Sequence, residues 1–213
     1  MRKLVLCLLA VVMPVIQAQV EDLPPAYPRD GAHKILENEH VIVWDISWLQ
    51  QDYPKHRHRY DHTGVYYSTG DRMIISNEGE SRAVHTEAWN ISFQLAGVTH
   101  TEIGTSAAPL RAVFVQIKRP VATTTGSELS LPQFPTDSPL ERLANERVKV
   151  WEYPSASADA DNAQDSVHYH GHDAVVVWFD ADTRPNVHFV SRGSSHAADI
   201  PTAASRVFVF EIL

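Results

Sequence analysis

A chain of 213 residues has room for one or two domains and for a core that needs no cross-links. It carries 18 Lys and Arg against 26 Asp and Glu, a net charge of −8, which argues against nucleic acid or an anionic membrane surface as partner. Its single cysteine, Cys7, excludes a disulfide framework and a metal site built on thiolates.

Arg2 and Lys3 precede an apolar run from Leu4 to Ile16, with Pro14 near its end and Ala18 just beyond. That run of about 13 residues is shorter than the roughly 20 needed to cross a bilayer. Residues 1–18 are therefore expected to be a signal peptide, cleaved close to Gln19, which makes the protein periplasmic or secreted. After cleavage no membrane segment is expected, and loss of Arg2 and Lys3 takes the charge from −8 to −10. Residues 19–32 hold Pro24, Pro25 and Pro28 and read as an extended lead-in.

From residue 33 onward the signal is strands. Val41 and Val43 alternate with Ile42 and Trp44. Val65-Tyr66-Tyr67 and Arg72-Met73-Ile74-Ile75 flank Ser68-Thr69-Gly70-Asp71, which reads as a hairpin. Trp89, Ile91, Phe93 and Leu95 alternate with polar or small residues, as on a half-buried strand. Residues 120–139, with Pro120, Pro132, Pro135 and Pro139, read as a linker between domains at 33–119 and 140–213. The only helical periodicity in the mature chain is a turn around Leu140 to Asn145. Ala174 to Phe179 is an apolar strand, and Val207 to Phe210 alternates near the C-terminus.

The two domains repeat one pattern. Leu36-Glu37-Asn38-Glu39-His40-Val41-Ile42-Val43-Trp44-Asp45 returns as Leu143-Ala144-Asn145-Glu146-Arg147-Val148-Lys149-Val150-Trp151-Glu152. H-x-H-x-x-D follows in each, as His56, His58, Asp61 and His168, His170, Asp173. Then comes G-x-x-H, as Gly97 with His100 and Gly193 with His196, and each half closes on Val-Phe-Val, at 113–115 and 207–209. Four features in the same order indicate an internal duplication.

Histidines two apart on a strand leave the same face. With a third imidazole from a distant strand they form a nitrogen donor set for Zn, Fe, Cu, Ni or Mn. Hydrogen bonding inside a polar pocket is the competing account. Glu102, two after His100, faces the same side and is the carboxylate to consider as a further ligand or a catalytic base. Asp61 and Asp173 suit either the orientation of a ligating imidazole or the capping of backbone donors. Tyr60, Tyr66 and Trp89 are candidates to line the first pocket, although aromatic residues on strands more often belong to a core. His33, His40, His85 and His188 fall outside the motifs.

The order H-x-H then G-x-x-H, twice, resembles the cupin superfamily in its duplicated, bicupin form. The resemblance implies an all-β fold of two small double-stranded β-helix (jelly-roll) barrels. It also implies divalent-metal sites at His56, His58 and His100 and at His168, His170 and His196. The family's first motif continues to a glutamate, where this chain has His62 and Ala174; its second motif ends on an asparagine, where this chain has Gly104 and Ile200. With His62 the first unit offers four imidazoles, so metal is expected there ahead of the second. The resemblance further implies a metal-dependent enzyme of dioxygenase, isomerase or decarboxylase type with a small-molecule substrate. A non-catalytic protein binding a metal or small ligand is the alternative, and assembly into a homo-oligomer stays open. No H-E-x-x-H or G-x-S-x-G is present.

Overall fold

Trp44, Ile46 and Trp48 alternate with Val43, Asp45 and Ser47 along β2 (Val41–Trp48), and this sorts the strand's faces between two different cores. The computed structural model describes residues 22–118, 133–135, 139–154, 167–180, 184–196, 204 and 206–213, and every regular element among them is a strand. The expected signal peptide and most of the linker lie outside the described residues.

The first unit contains β1 (Ala32–Glu37), β2, β3 (Asp52–Arg57), β4 (Asp61–Tyr66), β5 (Gly70–Ser76), β6 (Ser81–Thr86), β7 (Ile91–Gln94), β8 (Thr99–Gly104) and β9 (Leu110–Ile117). They form two antiparallel sheets, β1-β2-β9-β4-β7 and β3-β8-β5-β6. Between these sheets lies a core of Trp44, Ile46, Trp48, Tyr53, Tyr66, Leu110 and Phe114. The second unit contains β10 (Leu140–Ala144), β11 (Val148–Pro154), β12 (His168–Tyr169), β13 (Asp173–Phe179), β14 (Asn186–Val190), β15 (Ser195–His196) and β16 (Arg206–Ile212). Its sheets run β10-β11-β16-β13-β14 and β12-β15. Two sheets around buried histidines, in each unit, make a double-stranded β-helix.

The two five-stranded sheets pack face to face. Val41, Val43, Val65, Val113, Val115 and Ile117 from one join Val148, Val150, Val175, Val177, Phe208, Phe210 and Ile212 from the other in a single buried cluster. The repeat is visible atom by atom. Asn38 Oδ1 accepts the N–H groups of His40 and Val41, as Asn145 Oδ1 accepts those of Arg147 and Val148. A bulge falls just before Leu36 and again just before Leu143. Asp61 pairs with Arg147 at 2.7 Å, and its repeat partner Asp173 faces His40, the repeat partner of Arg147, at 3.2 Å. Each unit thus holds a carboxylate toward a basic residue of the other.

The structure corrects two expectations about the elements. Ser68 to Asp71 is not a hairpin apex: β4 pairs with β7 and β9, whereas β5 pairs with β6 and β8, so the chain crosses between sheets there. The true hairpin is β5–β6, turning through Gly79. Residues 140–144 form a strand, because Leu140 and Leu143 belong to the ladder with β11. Of the two readings of Trp89 the core one holds: it packs between the two units against Phe179 and Phe208.

The repeated Val-Phe-Val is out of register by one. Val43 pairs with Val115 and Val150 with Phe210, so Val113 corresponds to Phe208, not Val207. A one-residue slip exchanges the faces of a strand. Phe114 accordingly fills the first barrel, whereas Phe208 fills the space between the units.

Candidate metal centre

Why G-x-x-H brings a histidine to H-x-H is a matter of one turn. Gly97 has φ of 86°, a left-handed conformation that costs a residue with a side chain far more than glycine. In that conformation its N–H donates to the His58 carbonyl at 2.8 Å, and the His58 N–H donates to Val98 O at 2.9 Å. Three residues on, His100 lies directly opposite His56 in the β3–β8 ladder, so both side chains leave the same face. The second unit repeats the device: Gly193, at φ of 74°, donates to the His170 carbonyl at 2.8 Å, and His196 pairs with His168.

His56, His58 and His100 are buried, and each offers a ring nitrogen within 4.8 Å of those of the other two. His58 Nε2 and His100 Nε2 are 3.3 Å apart. Two imidazoles bound to one ion at about 2.0–2.1 Å with tetrahedral angles would stand about 3.4 Å apart, so the spacing fits a shared cation. His56 Nδ1 lies 2.9 Å from Pro54 O, a bond that makes Nδ1 the protonated nitrogen and leaves Nε2 with its lone pair. That Nε2 is buried and has no protein partner. The donor set therefore fits a divalent transition metal held by three imidazoles.

His62, expected as a fourth ligand, is not among the three whose nitrogens converge. Its ring lies against that of His58, centroids 4.7 Å apart, with Phe114 on it at 4.9 Å. Glu102 is buried beside the centre, with Oε1 3.8 Å from His100 Nε2. Its Oε2 accepts a hydrogen bond from Trp48 Nε1 at 3.0 Å. Burial pushes the Glu102 pKa upward, but Arg29 and Arg72 beside it outweigh this, and the net shift is downward. Glu102 is thus an ionised carboxylate, suited to accept a proton or contact a cation. Of the aromatic candidates Tyr66 lines the barrel, stacked on Trp48. Asp61 and Asp173 cap backbone N–H groups, of Ala96 and Arg192, as well as pairing across the units.

Sequence reading missed Arg29, Arg72, Trp48 and Tyr53, which wall the side of the centre around Glu102. It also missed that the lead-in is part of the barrel. Pro24 O accepts the Arg57 N–H at 2.9 Å, and Ala26 and Tyr27 are buried in the core, Tyr27 edge-on to His58. Beside this segment lies a cavity of about 290 Å³, lined by Leu23, Pro25, Arg57, His58, Arg59 and Gly97.

In the second unit His168 Nε2 and His170 Nε2 are likewise 3.3 Å apart and buried; the His196 side chain lies outside the described set. Ala174 does occupy the place of His62, since it pairs with Glu211 as His62 pairs with Gln116. A carboxylate thus stands one strand over from Ala174. Glu211 accepts the Trp151 indole N–H at 2.6 Å, and burial raises its pKa.

Burial also lowers the pKa of His58 to about 2 and of His62 and His100 to about 4. Their unfolded value is about 6.5, so on acidification the unfolded chain takes up protons first. Stability of chelator-stripped protein is then expected to be full above pH 6.5 and to fall as pH drops toward 4. Urea unfolding at pH 7, 6 and 5 checks this; equal midpoints would contradict it.

No protein-family model matches the chain, and no curated protein does. Among solved structures, AerE from Microcystis aeruginosa superposes with a TM-score of 0.53 at 12% identity, over 85% of this chain and 97% of that one. A cupin domain from Bordetella pertussis Tohama I matches at 26% identity and a TM-score of 0.39, over 44% of this chain and 99% of its own. An RmlC-like cupin family protein with a double-stranded β-helix fold from Methanocaldococcus jannaschii matches at 18% identity and a TM-score of 0.35, over 43% and 85%.

Proposed function

We propose that the first unit is the catalytic half of an exported metal-dependent enzyme acting on a small organic molecule, of dioxygenase, isomerase or decarboxylase type. The observation that supports it is the convergence of His56, His58 and His100, with His56 Nε2 buried and unpartnered. Structural sites are normally closed by four protein ligands, and three leave room for a reactant. A divalent ion held there supplies Lewis acidity toward a substrate oxygen, or a redox partner for dioxygen.

The remaining work falls to the chain. The Pro54 carbonyl fixes the tautomer of His56. His62, backed by Phe114, holds the His58 ring from one side. Glu102 is placed to accept a proton beside His100, with the Trp48 indole holding its other oxygen. Tyr27, buried with Ala26, packs edge-on against His58.

Replacing His100 by Ala tests the reading. Turnover is expected to vanish in an oxygen-consumption and isomerase screen of small acids and phenols, while the barrel stays folded. A variant that keeps activity, or one whose main defect is a strongly lowered melting temperature, would favour a binding or structural metal instead. Export rests on residues 1–18. Intact mass of protein recovered outside the cytoplasm is expected to begin near Gln19, and a mass that includes Met1 to Ala18 would retire that part.

A further inference from the structure

Two arginines enter the first barrel from different elements and meet at one carboxylate. Arg29 comes from the lead-in, its side chain 8% exposed, with its guanidinium carbon 3.7 Å from the centre of the Tyr53 ring and 5.2 Å from that of Trp48. Arg72 comes from β5, its side chain 11% exposed, 4.8 Å from Trp48, and it donates to the Tyr66 hydroxyl at 2.8 Å. Glu102 is the partner of both, 3.5 Å from Arg29 and 4.0 Å from Arg72.

One carboxylate against two guanidinium groups leaves a surplus positive charge inside the barrel. Nε, Nη1 and Nη2 of Arg29 and Nε and Nη1 of Arg72 are buried with no hydrogen-bond partner. A guanidinium cannot shed its proton to escape this, as a lysine or histidine can. Stacking on Trp48 and Tyr53 offsets part of the cost but satisfies none of these donors. An uncharged side chain of similar length would fill the same space without it. Unsatisfied forks of N–H donors among aromatic rings match a planar oxyanion. They lie against the candidate metal centre, since Glu102 pairs with both arginines and stands 3.8 Å from His100.

We propose that Arg29 and Arg72 bind the carboxylate of the molecule that the first unit takes, which makes that molecule a small carboxylic acid. The inference rests on the reading of this unit as a small-molecule site. A carboxylate is preferred to phosphate because it is planar, as the guanidinium forks are, and because the rings of Trp48, Tyr53 and Tyr66 wall the two arginines.

Acetate and benzoate, each beside its primary amide, and inorganic phosphate are the probes. Binding to the full-length mature protein, metal-stripped and metal-loaded, is followed by calorimetry and by Trp fluorescence, since Trp48 lies beside both guanidinium groups. At least one acid is expected to bind about tenfold more tightly than its amide in both forms, and Arg29→Met and Arg72→Met are each expected to weaken it about tenfold. Equal binding of acid and amide to the wild-type protein would overturn the proposal, whether or not the variants fold. Phosphate binding as tightly as the acids would overturn the carboxylate assignment. Acid binding that survives both folded variants would place the anion elsewhere. Acid binding by a protein that takes up no metal would end the metal-centre reading and leave this one standing; metal uptake without acid preference would do the reverse.

Discussion

Replacing His56 and His58 together by alanine is expected to remove most of the bound metal, and the same change at His168 and His170 is expected to remove less. The double change leaves His100 as the only imidazole of the converging group, and one imidazole does not chelate. Loss of a hydrogen-bonded partner behind a ligand already costs about 10–100-fold in affinity, so loss of two ligands is expected to exceed about 100-fold. The second barrel is a poorer competitor. Among the described residues it brings only His168 and His170 together, against three converging histidines in the first barrel. Metal-to-protein ratios of the two double variants, measured after equal dialysis, decide the matter. The opposite ranking would move the metal centre to the second barrel.

The second large effect concerns the joint between the units. Phe208→Ala empties a fully buried position that contacts Trp89 and Phe179 in the cluster shared by both five-stranded sheets. Truncating a buried phenylalanine costs about 3–5 kcal/mol. In a chain of this size each kcal/mol lowers the melting temperature by about 2–4 °C, so a fall of roughly 6–20 °C is expected. Because Val41, Val65 and Val113 share the cluster with Phe208, the first unit is expected to melt with the second in one transition. Calorimetry showing two transitions, of which only one moves, would mean that the units are stabilised separately.

What could be read from the sequence follows from what is local. H-x-H on a strand and G-x-x-H after a glycine turn are each set within a few residues, so His56, His58, His100 and the positions of His62 and Ala174 were legible. The Asn-Glu-x-Val repeat was legible too, because Asn38 and Asn145 act on N–H groups two and three residues away. What was missed depends on partners far along the chain. Ser68 to Asp71 has the composition of a tight turn, and nothing local says that β4 and β5 leave it for different sheets. Val-Phe-Val looked equivalent in both halves because the eye aligns identical letters, whereas the ladders align Val113 with Phe208. Arg29 sits in a proline-rich stretch and Arg72 beside a presumed loop, and neither position announces that its side chain turns inward. Their meeting at Glu102 joins residues 29, 72 and 102, which no sequence window spans.

The crossed pairs, Asp61 with Arg147 and Asp173 with His40, carry a further implication. In an assembly of two identical subunits, every substitution at the contact is made twice, and both faces must tolerate it together. Within one chain each side changes alone. Arginine on one side can stand against histidine on the other, and the same freedom reaches the interiors, where His62 faces Gln116 in one barrel and Ala174 faces Glu211 in the other. Two units in one chain escape that constraint of symmetry, and each interior is free to change while the apolar face between them is kept.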